Sequence, residues 1–513
     1  MSVSSQPTIR DRLMIGAGFM VGAATLSRLL AIGSISVLGR ILGPSDFGVM
    51  AYAWLVIELQ RVLSGLPFVN AFVRLPEIDQ RHINTAFTIC FTLNIVLAAI
   101  LFFGADAIAF ILRQPELSPV FMALAVVPLI DSVKNPRFVL LARELRFDWP
   151  AKVDVIGRLV TYCVSIVLAW ILQDYWAMII GMIAAAAVSS ALTHYATPGP
   201  VGFGLRAWRD CVSFGAWTTA ARVSFIANRH LAGLVLGSTL GLVSLGAFRM
   251  GTAVVGQIFD QLARPMDWLI FAGLAKKQRS VENLRRAYLD ALGLFICALL
   301  PLGAGVALCA AEFLRVLLGP QWDAAVPVLQ ILAPSVSIGL LGAGARGTLN
   351  ALGDVRSIFL REAAVLLFVL PAVWIGVSFF GLIGAAAATG AAEIFGLAVV
   401  LPIISRKLQS SVFEGFWQSW RSILSCLVMA AALLTSGALT GPVQVSSMTF
   451  ADALVLLVLK ATAGALIYAA THVLLWHLAG RPTGAETTIF SVLVRISNKI
   501  LTKLGLKAAN PKS

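Results

Sequence analysis

Long apolar runs separated by short polar or glycine- and proline-bearing joins fill the chain from end to end. They fall near residues 13–38, 46–69, 83–112, 117–141, 153–172, 176–197, 211–236, 242–271, 287–311, 324–350, 358–379, 381–402, 422–440 and 451–478. Most reach the roughly 20 residues that a helix needs to cross a bilayer core of about 30 Å. In lipid, backbone N–H and C=O groups must be satisfied inside the segment, which a helix does by itself. The pattern therefore predicts an all-α polytopic membrane protein with about fourteen transmembrane helices.

Composition agrees. Of 513 residues, 59% are hydrophobic and only 12% are charged, against roughly a quarter charged in soluble domains. The mean hydropathy is +0.88. The opening MSVSSQPTIRDR reads as a short polar lead into an apolar stretch too long for a signal h-region, so no cleaved secretory signal is expected. The cysteines are scattered within or beside apolar runs, without metal or disulfide spacing.

The net charge of +14 would suggest nucleic acid in a soluble protein. Here position changes the reading. With the N-terminus inside, nearly all loop and tail cations, Arg361 and Arg421 among them, fall on the inner side, and only Arg40, Arg113 and Arg315 on the outer. That asymmetry predicts cytoplasmic termini and no nucleic-acid partner. From Glu486 to Lys507, Arg495, Lys499, Lys503 and Lys507 oppose a stripe of Ile489, Leu493, Ile496, Ile500 and Leu504. This tail is expected to lie on the anionic inner leaflet. Outer loops are all short, which argues against a glycan polymerase or ligase with a large external catalytic loop.

A shift of 198 residues superposes Gly43–Gly48 (GPSDFG) on Gly241–Gly246 (GLVSLG), Pro67 on Pro265 and Arg81 on Arg279. Six spans thus repeat in parallel orientation, which predicts two six-helix lobes about a pseudo-two-fold axis with a site between them. The expected divisions are 1–200, 201–403, two added spans over 404–480, and a basic tail over 481–513. GPSDFG is expected to be a structural turn in which Gly43 and Gly48 adopt backbone shapes closed to other residues. Pro67, Pro128, Pro265, Pro301, Pro334 and Pro371 are expected to kink spans. The run GAAAATGAAE, Gly384–Glu393, is expected to pack closely against another helix. GAGARG, Gly342–Gly347, matches a dinucleotide fingerprint but lies in an apolar span without a strand before it, so it is read as structural.

Charges interrupt the spans. Arg28 lies in the first. Glu58 and Arg61 share a face at i, i+3, and Asp154 and Arg158 share one at i, i+4. Arg222 and Arg229 share a face of the seventh span, with Asn228 and His230 beside the latter. Arg249, Asp260, Arg264 and Asp267 follow along the eighth, and Lys460 lies in the fourteenth. A charge at the bilayer centre costs about 3 kcal/mol or more, so such groups pair or line a cavity. Pairing accounts for Glu58–Arg61, Asp154–Arg158 and Asp260–Arg264. Arg28, Arg222, Arg229 and Arg249 lack a local acid and point to a cation-lined cavity, to which Arg61 and Arg264 are added as candidates. Guanidinium forks suit phosphate oxygens, so an anionic cargo is expected. Glu58, Asp260, Asp267 and Glu393 are candidates for coupling a proton or sodium ion. No Walker A, HExxH or GxSxG sequence is present, and no catalytic residue, metal or cofactor is expected.

Five stretches carry a family resemblance: GRILGPSDFG (Gly39–Gly48), LLARELRFDWPAKVDV (Leu140–Val155), DYWAM (Asp174–Met178), LLGPQWDAAVP (Leu317–Pro327) and LNALGDVRS (Leu349–Ser357). In this order, across roughly residues 10–440, they resemble the Wzx/WzxC-type polysaccharide transporter flippases of the multidrug/oligosaccharidyl-lipid/polysaccharide exporter superfamily. The resemblance implies a two-lobed MATE-like bundle. It also implies an inner-membrane flippase that moves undecaprenyl-diphosphate-linked oligosaccharide outward for exopolysaccharide, O-antigen or capsule synthesis, working beside polymerase and chain-length machinery. Phe248 stands where a tyrosine is expected, and Arg229 and His230 where relatives often carry an acid. A lipid II flippase and a MATE-type multidrug/cation antiporter are the alternatives within the superfamily.

Overall fold

The computed structural model describes residues 9–74, 78–144, 146, 148–208, 215–277, 281–352, 354–439 and 448–482, with side chains described there except at 9–21, 63–74, 142, 215–222, 260–277, 281, 350–351, 355 and 436–439. The described residues form helices and their connections, with no strand. The long helices are α1 (Ile9–Ile41), α2 (Pro44–Arg74), α3 (Gln80–Phe103), α4 (Asp148–Leu172), α5 (Trp176–Ala196), α6 (Gly215–Lys277), α7 (Val281–Leu308), α8 (Val326–Leu340), α9 (Val355–Leu408), α10 (Trp420–Leu439) and α11 (Phe450–Leu478). Among the described residues, nine helical stretches are long and apolar enough to cross a membrane. The chain is a multi-pass membrane protein.

Two of the predicted joins are single glycines. α6 breaks at Gly241 (φ 82°, ψ −179°) and α9 at Gly381 (φ 58°, ψ −130°). Both conformations are strained for any residue with a Cβ. Each break folds the rod into a hairpin: Leu245 reaches back to within 3.2 Å of the space a Gly233 Cβ would fill, and Gly376 meets the backbone of Gly384. Pro301 and Pro334 lie inside continuous helices, while the side chains of Pro67 and Pro265 lie outside the described residues.

Two compact units are present. The first comprises 1–253, 317–328 and 366–388; the second comprises 254–316, 329–365 and 389–513.

In the first unit the GRILGPSDFG stretch is a packing hub. The Gly39 carbonyl accepts the Trp322 indole N–H at 2.7 Å, and Phe47 meets the Trp322 ring edge-on at 5.2 Å. Ser36 donates to the Leu317 carbonyl at 2.6 Å, and Gln321 donates to the Leu42 carbonyl at 3.1 Å. Trp322 is fully buried. Its segment turns into place at Gly319 (φ 99°).

The repeated turn packs on the same hub. A Cβ on Gly48 would strike the Leu242 carbonyl, and one on Gly246 would strike the Pro44 carbonyl. This corrects the expectation for Gly43 and Gly48. Neither has a positive φ; of the aligned pair Gly43 and Gly241, only Gly241 does. Gly48 is required for close approach of two backbones, because nothing larger than hydrogen fits between them.

Some polar groups in this unit pair in clusters. Gln60 donates to Asn94 at 2.9 Å and to Asp131 at 3.1 Å, and Lys134 pairs with Asp131 at 2.7 Å. The predicted Asp154–Arg158 pair forms at 3.0 Å, with the Ser27 hydroxyl donating to the same carboxylate at 3.2 Å.

In the second unit Lys460 of α11 pairs with Glu312, which is only 4% exposed. Arg361 and Glu362 form a buried pair at 2.6 Å. Arg361 and Arg421, assigned above to inner loops, and Arg315, assigned to an outer one, are all nearly inaccessible. All three lie on helices and not in loops, so helix packing buries them instead of leaving them in water. The small-residue run behaves as expected: a Cβ on Gly390 would lie 2.6 Å from the Ser335 hydroxyl of α8. GAGARG lies across a tight turn and the helix Ala343–Ala351.

Asp354 of LNALGDVRS caps α9. It accepts from the Ser357 N–H at 3.1 Å and the Ser357 hydroxyl at 2.7 Å, and pairs with Lys407 at 2.7 Å. Lys407 first, then Ser357, holds its pKa down at about 2. A carboxylate depressed below its unfolded value of about 3.9 contributes stability that is complete above that value and lost as pH falls through the folded one. The melting-temperature gap between wild type and Asp354→Asn in detergent is therefore expected to be constant above about pH 4 and to close towards pH 2.

Candidate functional site

A small cleft with two arginines in its wall lies within the first unit where three helical faces meet. α2 supplies Ala51, Tyr52 and Leu55; the first arm of α6 supplies Arg229, His230, Gly233 and Leu234; the second arm supplies Leu245, Phe248 and Arg249. On each helix these positions recur at three- and four-residue steps, which place them on one face. The Gly241 hairpin brings Arg229 and Arg249 to a common cleft although they are twenty residues apart.

The acid of the site comes from the other helix. Glu58 on α2 lies 2.8 Å from Nε2 of His230, whose side chain is 4% exposed. A carboxylate only accepts, so Nε2 carries the proton and donates it. This corrects the expected Glu58–Arg61 pair: the imidazole faces Glu58 across the helix interface, while Arg61 is exposed. Glu58 also interacts electrostatically with Arg229 and Arg249.

Arg249 lies with its guanidinium carbon 5.8 Å from the centre of the Trp54 ring, a cation–π geometry. Its Nε is buried and lacks a hydrogen-bond partner among the described residues. The buried Tyr52 hydroxyl is also without a partner there and packs against Gly237. A buried polar group left unpaired costs about 1–3 kcal/mol. Two guanidinium groups thus line the cleft, with one carboxylate beside them on His230.

The expected cavity residues separate accordingly. Arg229, Arg249 and Glu58 converge. Arg28 and Arg61 make no hydrogen bond or ion pair with another described residue. Glu393 belongs to the second unit, where it packs over Gly339, 2.8 Å from the space a Cβ there would fill. The side chains of Arg222, Asp260, Arg264 and Asp267 lie outside the described residues, as does the basic tail. Tyr52 and Trp54 were not singled out from the sequence. The available signal was an aromatic four residues from Glu58, on the same helical face.

This architecture defines the class: the fold is that of the multidrug/oligosaccharidyl-lipid/polysaccharide exporters. The solved lipid II flippase MurJ, in an inward closed conformation, matches with a TM-score of 0.75 at 14% identity, covering 90% of this chain and 99% of that one. An inward-facing multidrug resistance MATE family transporter matches with a TM-score of 0.58 at 16% identity, covering 75% and 96%. The family described as "Polysaccharide biosynthesis protein" matches residues 37–327, more than half of the chain, and the chain belongs to that family.

Among relatives, the lipopolysaccharide biosynthesis protein WzxC of Escherichia coli (strain K12) is 24% identical over 382 residues, 74% of this chain and 77% of WzxC. The teichuronic acid biosynthesis protein TuaB of Bacillus subtilis (strain 168) is 21% identical over 471 residues, 90% and 95% of the two chains. The succinoglycan biosynthesis transport protein ExoT of Rhizobium meliloti (strain 1021) is 22% identical over 326 residues, 62% and 66% of the two chains. The resemblance to polysaccharide transporters of this superfamily is borne out.

Proposed function

We propose that the protein is a flippase that carries undecaprenyl-diphosphate-linked oligosaccharide from the inner to the outer leaflet of a bacterial cytoplasmic membrane, feeding exopolysaccharide, O-antigen or capsule assembly. One observation carries this reading: Arg229 and Arg249 converge in a cleft among membrane helices, with the Arg249 Nε unpartnered among the described residues. Guanidinium groups are chemically suited to a diphosphate, whose charge would otherwise be costly in the bilayer, while the lipid remains among the tails. The names of WzxC, TuaB and ExoT support the polysaccharide setting. The chain acts as a transporter, and not as an enzyme, in this reading.

The same reading takes the membrane topology as fourteen passages with both termini cytoplasmic, in two six-helix lobes followed by two further helices. Arg28, Arg61, Arg222 and Arg264 complete the cationic surface. The lobes alternate access by rocking about the cavity, and polymerase and chain-length machinery takes the exported unit.

Deletion of the gene, followed by analysis of extracted lipids and surface glycan, tests the proposal. The expected result is accumulation of a diphosphate-linked oligosaccharide with loss of one surface polysaccharide. Accumulated lipid II would make peptidoglycan precursor the cargo. Unchanged lipids with a new drug sensitivity would point to antiport and sink the proposal.

A further inference from the structure

After α5 the chain folds back on its own unit. Residues 197–208 run along the start of α3 and are held there by its side chains. The Pro200 carbonyl accepts from Gln80 at 3.0 Å, and the Gly202 N–H donates to Asn84 at 3.1 Å. The Gly204 N–H donates to the Thr88 hydroxyl at 2.8 Å, and the Ala207 N–H to the Thr85 hydroxyl at 3.2 Å. The Phe203 ring lies 5.3 Å from both Phe87 and Phe91. This strap still leaves Phe203 67% and Trp208 51% exposed, with Leu205 and Arg206 exposed between them.

The second unit holds a counterpart. α9 ends at Gln409 (φ 51°, ψ 42°), and residues 409–419 return to the start of α7. Arg285 donates to both carboxylate oxygens of Glu414, at 2.7 and 2.8 Å. A Cβ on Gly415 would lie 2.5 Å from Leu292 and 3.5 Å from Leu289. Phe413 and Trp417, four residues apart, are left 73% and 81% exposed. The 198-residue register puts Phe87 on Arg285 and Phe91 on Leu289. Matching positions on α3 and α7 therefore each hold a strap, by ring contacts in one unit and by an ion pair and close packing in the other.

Two opposed costs set the depth of these straps. Irregular backbone facing lipid is not tolerated in the hydrocarbon core, and residues 197–205 and 409–413 are not helical. Large apolar side chains left in water forgo the free energy of burial. The headgroup zone relieves both costs, since backbone groups find water there and aromatic rings are favoured. Arg206 in the first strap and Arg406 at the end of α9 are exposed, and their side chains make no ion pair or hydrogen bond with another described residue.

We propose that the two straps are lipid anchors: residues 203–208 and 413–417 seat in the headgroup zone of the bilayer, where Arg206 and Arg406 take anionic phospholipid headgroups. The starts of α3 and α7 are thereby pinned at the membrane surface. Neither strap contributes a residue to the arginine cleft, so the anchors stand independently of the cargo.

The test uses the full-length wild-type protein in phospholipid nanodiscs containing a trace of photoactivatable lipid, with labelled peptides mapped by mass spectrometry. One probe carries its diazirine beside the glycerol ester, another at the acyl terminus. Both straps are expected to be labelled by the shallow probe and not by the deep one, while the peptide around Leu367, exposed midway along the first arm of α9, takes the deep probe. A shallow phosphatidylglycerol probe is expected to label each strap about fivefold more than its phosphatidylcholine equivalent, the preference one surface arginine has for anionic lipid. Arg206→Gln should abolish that preference at the first strap only, and Arg406→Gln at the second only, so each variant carries its own folding control. Should neither variant fold, the wild-type labelling decides alone. Straps labelled by neither probe are covered by water or by protein, the basic tail included, and the proposal falls. Preferential labelling by the deep probe places them in hydrocarbon and overturns it equally. Equal labelling by the two headgroups removes the arginines from the anchor.

Discussion

Arg249→Ala is expected to reach the membrane at wild-type levels and to lose export by about 10- to 150-fold. The magnitude follows from a charge-assisted hydrogen bond to an anionic ligand, worth about 1.5–3 kcal/mol. The orientation of Arg249 is constrained by its surroundings. Trp54 lies under its guanidinium, the Gly241 break sets its arm against the arm bearing Arg229, and its Nε is held away from any described partner. A guanidinium already oriented by its surroundings loses little freedom on binding, so its contribution is realised almost fully. The assay is complementation of the deletion strain, reading lipid-linked oligosaccharide and surface glycan together, with membrane abundance measured by immunoblot. Arg249→Lys keeps the charge but not the planar fork, and is expected to fall between wild type and alanine. Full complementation by the alanine variant would remove the arginine from the mechanism.

Gly246→Ala and Gly48→Ala are expected to be among the most damaging single-methyl substitutions in the first unit. In each case the added carbon would meet backbone, at Pro44 and Leu242 respectively, and not the end of a movable side chain. Relief would require separating α2 from the second arm of α6. That separation would also disturb the packing around Phe47 and Trp322. Overpacking typically costs about 1–3 kcal/mol, and a site with no side chain to yield lies at or above the top of that range. Thermal unfolding in detergent should show a fall of many degrees, or loss of the monodisperse protein. Gly33→Ala is the control. Nothing lies within 4 Å of the position a Cβ would take there, so the change should be neutral or stabilising by about 0.5–1 kcal/mol through helix propensity. Equal behaviour of Gly33→Ala and Gly246→Ala would refute the backbone-contact argument.

Most of the helical architecture was legible along the chain. Apolar runs of membrane length form helices wherever they are described, because each helix closes its own hydrogen bonds and needs no partner to do so. The breaks at Gly241 and Gly381 fall at expected joins, since glycine tolerates what other residues resist. The quoted family stretches were legible as a set. Several of them act away from the cleft: Gly39–Gly48 holds Trp322, and Asp354 caps α9.

The site was legible in part. Arginines without local acids were a sound signal, and Arg229 and Arg249 do converge. Their acid was misassigned because the sequence offers only neighbours at i, i+3 and i, i+4. Glu58 instead bonds His230, 172 positions away. A pair at such separation depends on how two helices cross, and side-chain spacing along one helix carries no information about that.

The sequence by itself determined the membrane class, the helices and the family. All of these follow from local hydrogen bonding, local hydrophobicity and the run of residue types. Only the tertiary structure decided that Trp322 seats on Gly39, that Gly48 and Gly246 let two backbones touch, and that Glu58 serves His230 and the arginine cleft. The reason is physical: burial and charge pairing act between surfaces, and which surfaces meet is set by the packing of whole helices.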